Sequence, residues 1–427
     1  MDTKSNTNAE INKPALSIII PVYNAEQFLE RAINSVLAST LDNIEILVVD
    51  DASEGNCRDI VASYSSQVRY IRHNKNKGLF AARYTGITEA RGDYIVHLDA
   101  DDWVVNDVYS KAYQRGKALN ADVVYFNLLQ CDDTGRTWND KKNVIHPFEL
   151  KTGRDIIDEM YLTNGYWALH VCWNKLIKRE VALQLLDDFS GDEYVNMFED
   201  VLWSTSLFLK LYQHGRVTMV PDIGIMYYRH DQSLTLGISH ELMAQKIDNT
   251  LAVYATIKDL LEKYQLFPLY QSFYERKMHN ALSFPLRNVQ EGFSQAFPEH
   301  FSKAKLTLKA LYKDSESDCY FNYPCARIKE KIEDSKPQGV FLYGLDTLAQ
   351  RVFKDMSDMN IETLGFVVSH NEQQHRRMNN LPVYSIKDIQ NQSEFKHIVV
   401  GSISSFYEIK NTIHERRPDA TVIGVFD

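Results

Sequence analysis

The chain has 427 residues, 44% of them hydrophobic, with 47 Lys and Arg against 57 Asp and Glu for a formal net charge of −10. So acidic a balance excludes a broad electrostatic footprint for nucleic acid, and any anionic ligand must be met by local cations or a bound metal. The length, with 20 Phe and 24 Tyr, excludes a disordered chain and predicts two or three separate cores.

Residues 1–14 are polar and predict a loose tail rather than a secretory signal. Ser17 to Val22, Ile44 to Val49 and Val68 to Ile71 then read as buried strands, with helices over Ala25 to Ala38, Asp59 to Ser65 and Leu79 to Ala90 between them. That alternation predicts a parallel α/β sheet. Tyr94 to Leu98 follows as a fourth strand. It sets Asp99 and Asp101 at a strand's carboxyl end, where open parallel sheets bind ligands. A helix over Asp107 to Leu119 and a strand over Asp122 to Leu129 come next, and the polar stretch Cys131 to Lys142 reads as a loop or exposed hairpin. Short helices alternate with strand-like pieces from Arg154 onward, ending in strands Arg216 to Val220 and Gly224 to Arg229.

From Ser239 to about Ile332 the pattern is helical and amphipathic, broken by Pro268, Pro285, Pro298 and Pro324. A helical bundle bridging domains is expected there, with a membrane-docking surface as the alternative. Beyond Lys336-Pro337, strands at Gly339 to Tyr343, Glu362 to Val368, His397 to Val400 and Ala420 to Val425, with helices at Leu348 to Met359 and Phe406 to Arg416, predict a second, small α/β unit. Its turn Tyr343-Gly344-Leu345-Asp346 has one glycine where a dinucleotide fingerprint has three, so packing or homo-oligomerisation is expected of this unit before nucleotide binding. The domain boundaries are therefore placed at 1–14, 15–238, 239–335 and 336–427.

Five cysteines, Cys57, Cys131, Cys172, Cys319 and Cys325, show no CxxC pair and argue against a disulfide framework or a zinc site. No run approaches the roughly 20 apolar residues of a spanning helix. A cytoplasmic protein, at most peripheral at the inner face of the membrane, is the expectation.

Four motifs carry the chemistry. They are Ile19-Ile20-Pro21-Val22-Tyr23-Asn24, Val48-Val49-Asp50-Asp51-Ala52-Ser53, Asn74-Lys75-Asn76-Lys77-Gly78 with Ala82-Arg83, and Asp99-Ala100-Asp101-Asp102. In this order, over roughly Leu16 to Thr235, they resemble family 2 glycosyltransferases with the GT-A fold. The fold class expected is that fold, followed by the helical region and a Rossmann-like C-terminal unit. A carboxylate at the end of the second strand can accept from a nucleobase N–H, so one of Asp50 and Asp51 is a candidate donor contact and the other a helix cap. Lys77-Gly78 opens a helix whose amides can face an anion, and Arg83 lies in its second turn. Pro21, Tyr23, Asn24 and Ala100 complete the donor side by position in the motifs.

Asp99 and Asp101 suit a hard divalent cation, Mg2+ or Mn2+, held against a donor diphosphate. Phe198-Glu199-Asp200-Val201-Leu202-Trp203 resembles the family's acidic pair, which implies Asp200 as general base with Glu199 beside it. Tyr227 to Thr235 resembles the stretch that closes over donor phosphates, implying Arg229 and Ser233 as donor contacts and leaving His230 as a third metal ligand or a structural residue. Cys172-Trp173-Asn174-Lys175-Leu176 resembles an acceptor-side stretch. Trp173 there is equally a sugar-stacking ring or a core aromatic, Lys175 is an acceptor candidate, and Tyr166, Trp167 and His170 are neighbours of the same cleft.

The implied activity is metal-dependent, inverting transfer of a sugar from a nucleotide-sugar donor, a UDP-sugar by preference, to a hydroxyl of a glycan or lipid-linked glycan. Capsule, lipooligosaccharide and wall polymer are the acceptor classes considered. The alternative is a noncatalytic sugar-nucleotide-binding or scaffold protein.

Overall fold

The computed structural model describes residues 13–64, 67–139, 144–162, 167–191, 194–230, 239–287, 293–311, 339–343, 353, 356–357, 361–368, 377–387, 397–400 and 406–424. It divides into two compact units, Met1–Met278 and His279–Asp427.

The first unit opens with β1 (Leu16–Val22), α1 (Glu26–Leu37), β2 (Ile44–Asp50), α2 (Cys57–Ala62), β3 (Val68–Arg72), α3 (Leu79–Glu89) and β4 (Tyr94–His97). Every residue of β1 and the last five of β2 are buried, as expected of parallel strands covered on both faces. Leu29, Ala32, Ile33 and Val36 of α1 form the single apolar stripe that seats that helix on the core. There follow β5 (Trp103–Val104), α4 (Val108–Leu119), β6 (Val123–Asp132), β7 (Thr137–Trp138), α5 (Gly153–Tyr161), β8 (Lys175–Lys178), α6 (Arg179–Leu185), α7 (Glu199–Lys210), β9 (Val217–Arg229) and α8 (His240–Lys263), and α9 (Phe267–Arg287) begins in this unit and ends past its last residue, Met278.

All strands of this unit join one nine-stranded sheet in the order β3-β2-β1-β4-β8-β6-β9-β5, with β7 paired to β6. It is mixed rather than parallel. β3, β2, β1 and β4 run parallel, but β8 enters antiparallel between β4 and β6, and β5 pairs antiparallel with β9. The four strands expected to run parallel do so, whereas β8 and β5, of four and two residues, show too few alternations to be read from a pattern. The two strands expected at the end of this region are one, β9. It carries Pro221 inside its length at a place where its register with β6 shifts. There the Asn127 side chain accepts from the Ile145 amide and donates to Pro221 O, so the irregularity is filled by hydrogen bonds.

α9 also departs from expectation, running through Pro285 to Arg287. A proline in the last turn removes one hydrogen bond near an end that frays anyway.

The second unit contains α10 (Phe293–Ala296), α11 (Pro298–Leu311), β10 (Val340–Tyr343), β11 (Thr363–Val368), β12 (Arg377–Met378), β13 (Leu381–Ser385), β14 (His397–Val400), α12 (Phe406–Arg416) and β15 (Thr421–Gly424). Its sheet has the order β12-β13-β11-β10-β14-β15, parallel except where the short β12 meets β13. Alternate residues feed two cores, Leu342 with Phe366 and Val399 on one face, Phe341 with Val367 and Ile398 on the other. β12 and β13 were not expected, and the Gly344-Leu345-Asp346 turn and Pro324 lie outside the described residues. Among the described residues, no helix is long and apolar enough to cross a membrane.

Candidate active site

At the end of β2, Asp50 and Asp51 are buried, 0% and 3% exposed, and both are fully engaged with the protein itself. Asp50 accepts from the Ser53 amide at 2.8 Å, from the Tyr70 hydroxyl and from Arg72. Burial pushes its carboxyl up, but the Tyr70 and Ser53 hydrogen bonds and the Arg72 charge together hold it below the ordinary carboxylate value. Asp51 accepts from the Lys77 amide at 2.8 Å and the Gly78 amide at 2.7 Å, and lies 2.7 Å from His73 Nδ1. The pair therefore folds the loop that follows β3. Asn24 joins the same knot: its amide donates to Ser53 Oγ and its side chain accepts from Glu54 N. Pro21 is buried within β1, while Tyr23 beside it is 49% exposed.

Gly78 has φ +93, and a Cβ there would stand 2.9 Å from Asn196 Oδ1. The expectation that the amides opening α3 face an anion is corrected here. Leu79 N donates to Asn196 Oδ1 at 2.8 Å and Phe80 N to Val195 O at 3.0 Å, so the helix start is already satisfied by a segment more than a hundred residues away.

Arg83, one turn further along α3, is 0% exposed, and this replaces its expected role as a donor contact. Its guanidinium bonds Asp99 Oδ1 at 2.6 Å through Nη2, and Glu199 Oε1 at 3.0 Å and Asp200 Oδ1 at 2.8 Å through Nη1. One planar fork thus joins the end of β4 to the start of α7. Burial opposes the Arg83 charge, yet Asp99, Asp200 and Glu199 outweigh it and the group stays cationic. Three carboxylates around one cation leave excess negative charge. Burial, then Asp200, raises Glu199 to about 8 against the pull of Arg83, while burial, Asp101 and Asp200 raise Asp99 to about 6. Side-chain exposure separates the acids: 24% for Asp99 and 25% for Asp200, against 6% for Glu199. Asp200 Oδ1 also accepts from the Cys172 amide at 3.0 Å, a contact with no signature in sequence.

Beyond Asp99 the chain turns through Ala100, 6% exposed, to Asp101, whose Oδ2 lies 3.0 Å from His230 Nε2 at the end of β9. Asp101 and His230 meet, whereas Asp99 is held by Arg83; among the described residues, no three His, Cys, Asp or Glu side chains are grouped to hold a metal ion. The carboxylate and imidazole that do converge are donors a divalent cation accepts, so the residues present fit such a group in part. Asp102 is buried and accepts from Tyr228 N at 2.8 Å, a structural role. Arg229 is half-buried at the end of β9, while Ser233 and Tyr166 lie outside the described residues.

Of the residues expected on the acceptor side, Trp173 is 2% exposed and stacks on Tyr227 at 5.4 Å, which makes it a core aromatic. Lys175 is likewise removed from the acceptor candidates. It is 1% exposed, its ammonium bonds Val171 O and Ser204 Oγ, and burial lowers it to about 8. Trp167, 40% exposed and 5.7 Å from Tyr227, is the open ring of this cluster. His170 is buried, and burial holds its imidazole well below the ordinary value.

Among curated relatives, the chain is 30% identical over 225 residues to the uncharacterized glycosyltransferase EpsJ of Bacillus subtilis, spanning 52% of this chain and 63% of that protein. It is 28% identical over 280 residues to a cholesterol galactosyltransferase of Borreliella burgdorferi, spanning 62% and 73%. The match to EpsJ thus spans less than two thirds of that relative's length. Among solved structures, S. aureus TarS 1-349 in complex with UDP-GlcNAc aligns at TM-score 0.44 and 17% identity over 72% of this chain and 91% of that one. Residues 337–421 match the family model C2185-like, N-terminal, and residues 17–186, which hold β1 to β8 with Asp99 and Asp101, match that of Glycosyl transferase family 2.

Proposed function

We propose that the protein is a metal-dependent, inverting glycosyltransferase that moves a sugar from a nucleotide-sugar donor, a UDP-sugar by preference, to a hydroxyl of a glycan acceptor. One observation carries this reading: the Arg83 guanidinium touches both Asp99 and Asp200, so a donor-end carboxylate and a candidate base border one site although a hundred residues separate them. Glu199 is too buried to meet a substrate, which favours Asp200 for the proton transfer.

In the reaction, an Asp200 oxygen takes the proton of the acceptor hydroxyl while the acceptor's own oxygen bonds the anomeric carbon from the face opposite the donor diphosphate. The carbon–oxygen bond to the diphosphate breaks, its electrons leave with the nucleoside diphosphate, and the anomeric configuration inverts. Arg83 holds Asp200 in place beside Glu199. Asp101 and His230, with Asp99 adjacent, would hold Mg2+ or Mn2+, which when bound offsets charge on the leaving diphosphate. Arg229 at the end of β9 is the candidate phosphate contact.

The test is a screen of nucleotide sugars for nucleoside diphosphate release, with Mn2+ and with a chelator. Wild-type protein should turn over one donor class only with metal. Asp200→Asn should keep UDP affinity within about threefold and lose at least about a hundredfold in transfer rate. Binding without turnover of any donor would favour the scaffold reading. Undiminished transfer by Asp200→Asn would overturn the base assignment.

A further inference from the structure

Helix α1 reads from sequence as an ordinary amphipathic element, yet its half-buried Arg31 reaches the turn that bears Asp101. Its Nη2 donates to the Asp101 main-chain carbonyl at 2.6 Å. Its guanidinium carbon lies 4.1 Å from the Trp103 ring centre and 4.6 Å from that of Tyr228, close enough for cation–π attraction to both. Nε is buried with no hydrogen-bond partner, as a guanidinium held by π faces would be.

The rings themselves extend the contact. Tyr228 stacks on His230 at 5.2 Å, and Phe28, one turn before Arg31, sits 4.7 Å from the same imidazole. Ser35, one turn after it, accepts from Val104 N at 3.1 Å. One face of α1 therefore touches both chain segments that supply the Asp101 and His230 pair.

We propose that Arg31 is a positioning residue: a cation clamped between Trp103 and Tyr228 that fixes the Asp101 turn against the end of β9, so that Asp101 and His230 present their donor atoms to one point. Asp101 lies within the turn closed by Asp102 N on Asp99 O, and His230 is the first residue beyond β9, so neither is held by a strand ladder. Arg31 supplies what the sheet does not. It touches neither substrate nor metal, and its consequence for donor binding rests on the reading given under Proposed function.

The experiment compares wild type with Arg31→Met, which keeps length and loses charge, and Arg31→Lys, which keeps the charge. Amide hydrogen exchange is read at Asp102, Val104 and Tyr228, each of which donates a hydrogen bond at this junction. Arg31→Met should speed exchange there by about tenfold or more while strands β1 and β2 keep their protection, and Arg31→Lys should recover most of the loss. Affinity for Mn2+ alone and for UDP with Mn2+ should fall about tenfold in Arg31→Met and partly return in Arg31→Lys. Unchanged exchange in Arg31→Met would overturn the proposal, as would a speeding spread evenly across the sheet, which marks general loss of stability. Normal Mn2+ and UDP affinity despite a loosened turn would also overturn it. Failure of wild type to bind Mn2+ or UDP would count against the donor reading instead, with the exchange data still deciding the clamp.

Discussion

Two strand ends in this protein carry runs of aspartate that look alike in sequence, Asp50-Asp51 after β2 and Asp99-Ala100-Asp101-Asp102 after β4, and they do different work. The first pair is buried and saturated by main-chain amides, Tyr70, Arg72 and His73. In the second run only Asp102 is fully buried, while Asp99 and Asp101 keep 24% and 30% of their side-chain surface. A buried carboxylate bonded through both oxygens shapes a loop. One left partly open beside other acids is available for chemistry.

Exchanging the roles experimentally gives the largest contrast. Asp101→Ala should abolish metal-dependent UDP binding, seen by calorimetric titration, while unfolding free energy changes by about 1 kcal/mol or less, since a single partly exposed pair with His230 contributes little. Asp51→Ala should do the reverse in kind, costing about 2–4 kcal/mol in denaturant unfolding because two buried amides and His73 lose their acceptor. Comparable stability of the two variants would erase the distinction.

A smaller effect is expected one step along the same loop. Gly78→Ala must hold a side chain at φ +93 and push Asn196 aside, so it should cost about 1–3 kcal/mol in thermal or denaturant unfolding. Paired with Asn196→Ala, which removes the obstructing oxygen, the penalty should shrink toward that of the backbone strain alone.

The smallest and most specific effect concerns pH. Glu199 is raised from an ordinary 4.5 to about 8, so the folded state holds a proton that the unfolded chain has released across that window. Stability should therefore fall as pH rises from about 4.5 to about 8 and level off above it. Glu199→Gln, neutral throughout, should flatten that slope in unfolding curves taken at several pH values. A slope as steep as wild type's would show that Glu199 is ionised in the folded protein.

Much of the first unit could be read from residues in order. β1, β2 and β4 are mostly apolar runs and α1 has an unbroken stripe, so local pattern and burial agree. The reading failed where an element was short or depended on a distant partner. β8 is four residues long and runs against its neighbours. Lys175, polar by type, is buried where Val171 O and Ser204 bond its ammonium. The start of α3 advertised an anion site until Val195 and Asn196 filled it.

What the sequence determined by itself is the class of fold over the first hundred residues and which acids stand at the strand ends, because both follow from periodicity and residue type within a few positions of one another. Which acids remain open, which are consumed by the protein, and that Arg83 and Arg31 tie together segments up to two hundred residues apart were decided only in three dimensions. Hydrogen bonding and desolvation depend on what lies beside a group in space, and neighbours along the chain do not reveal that.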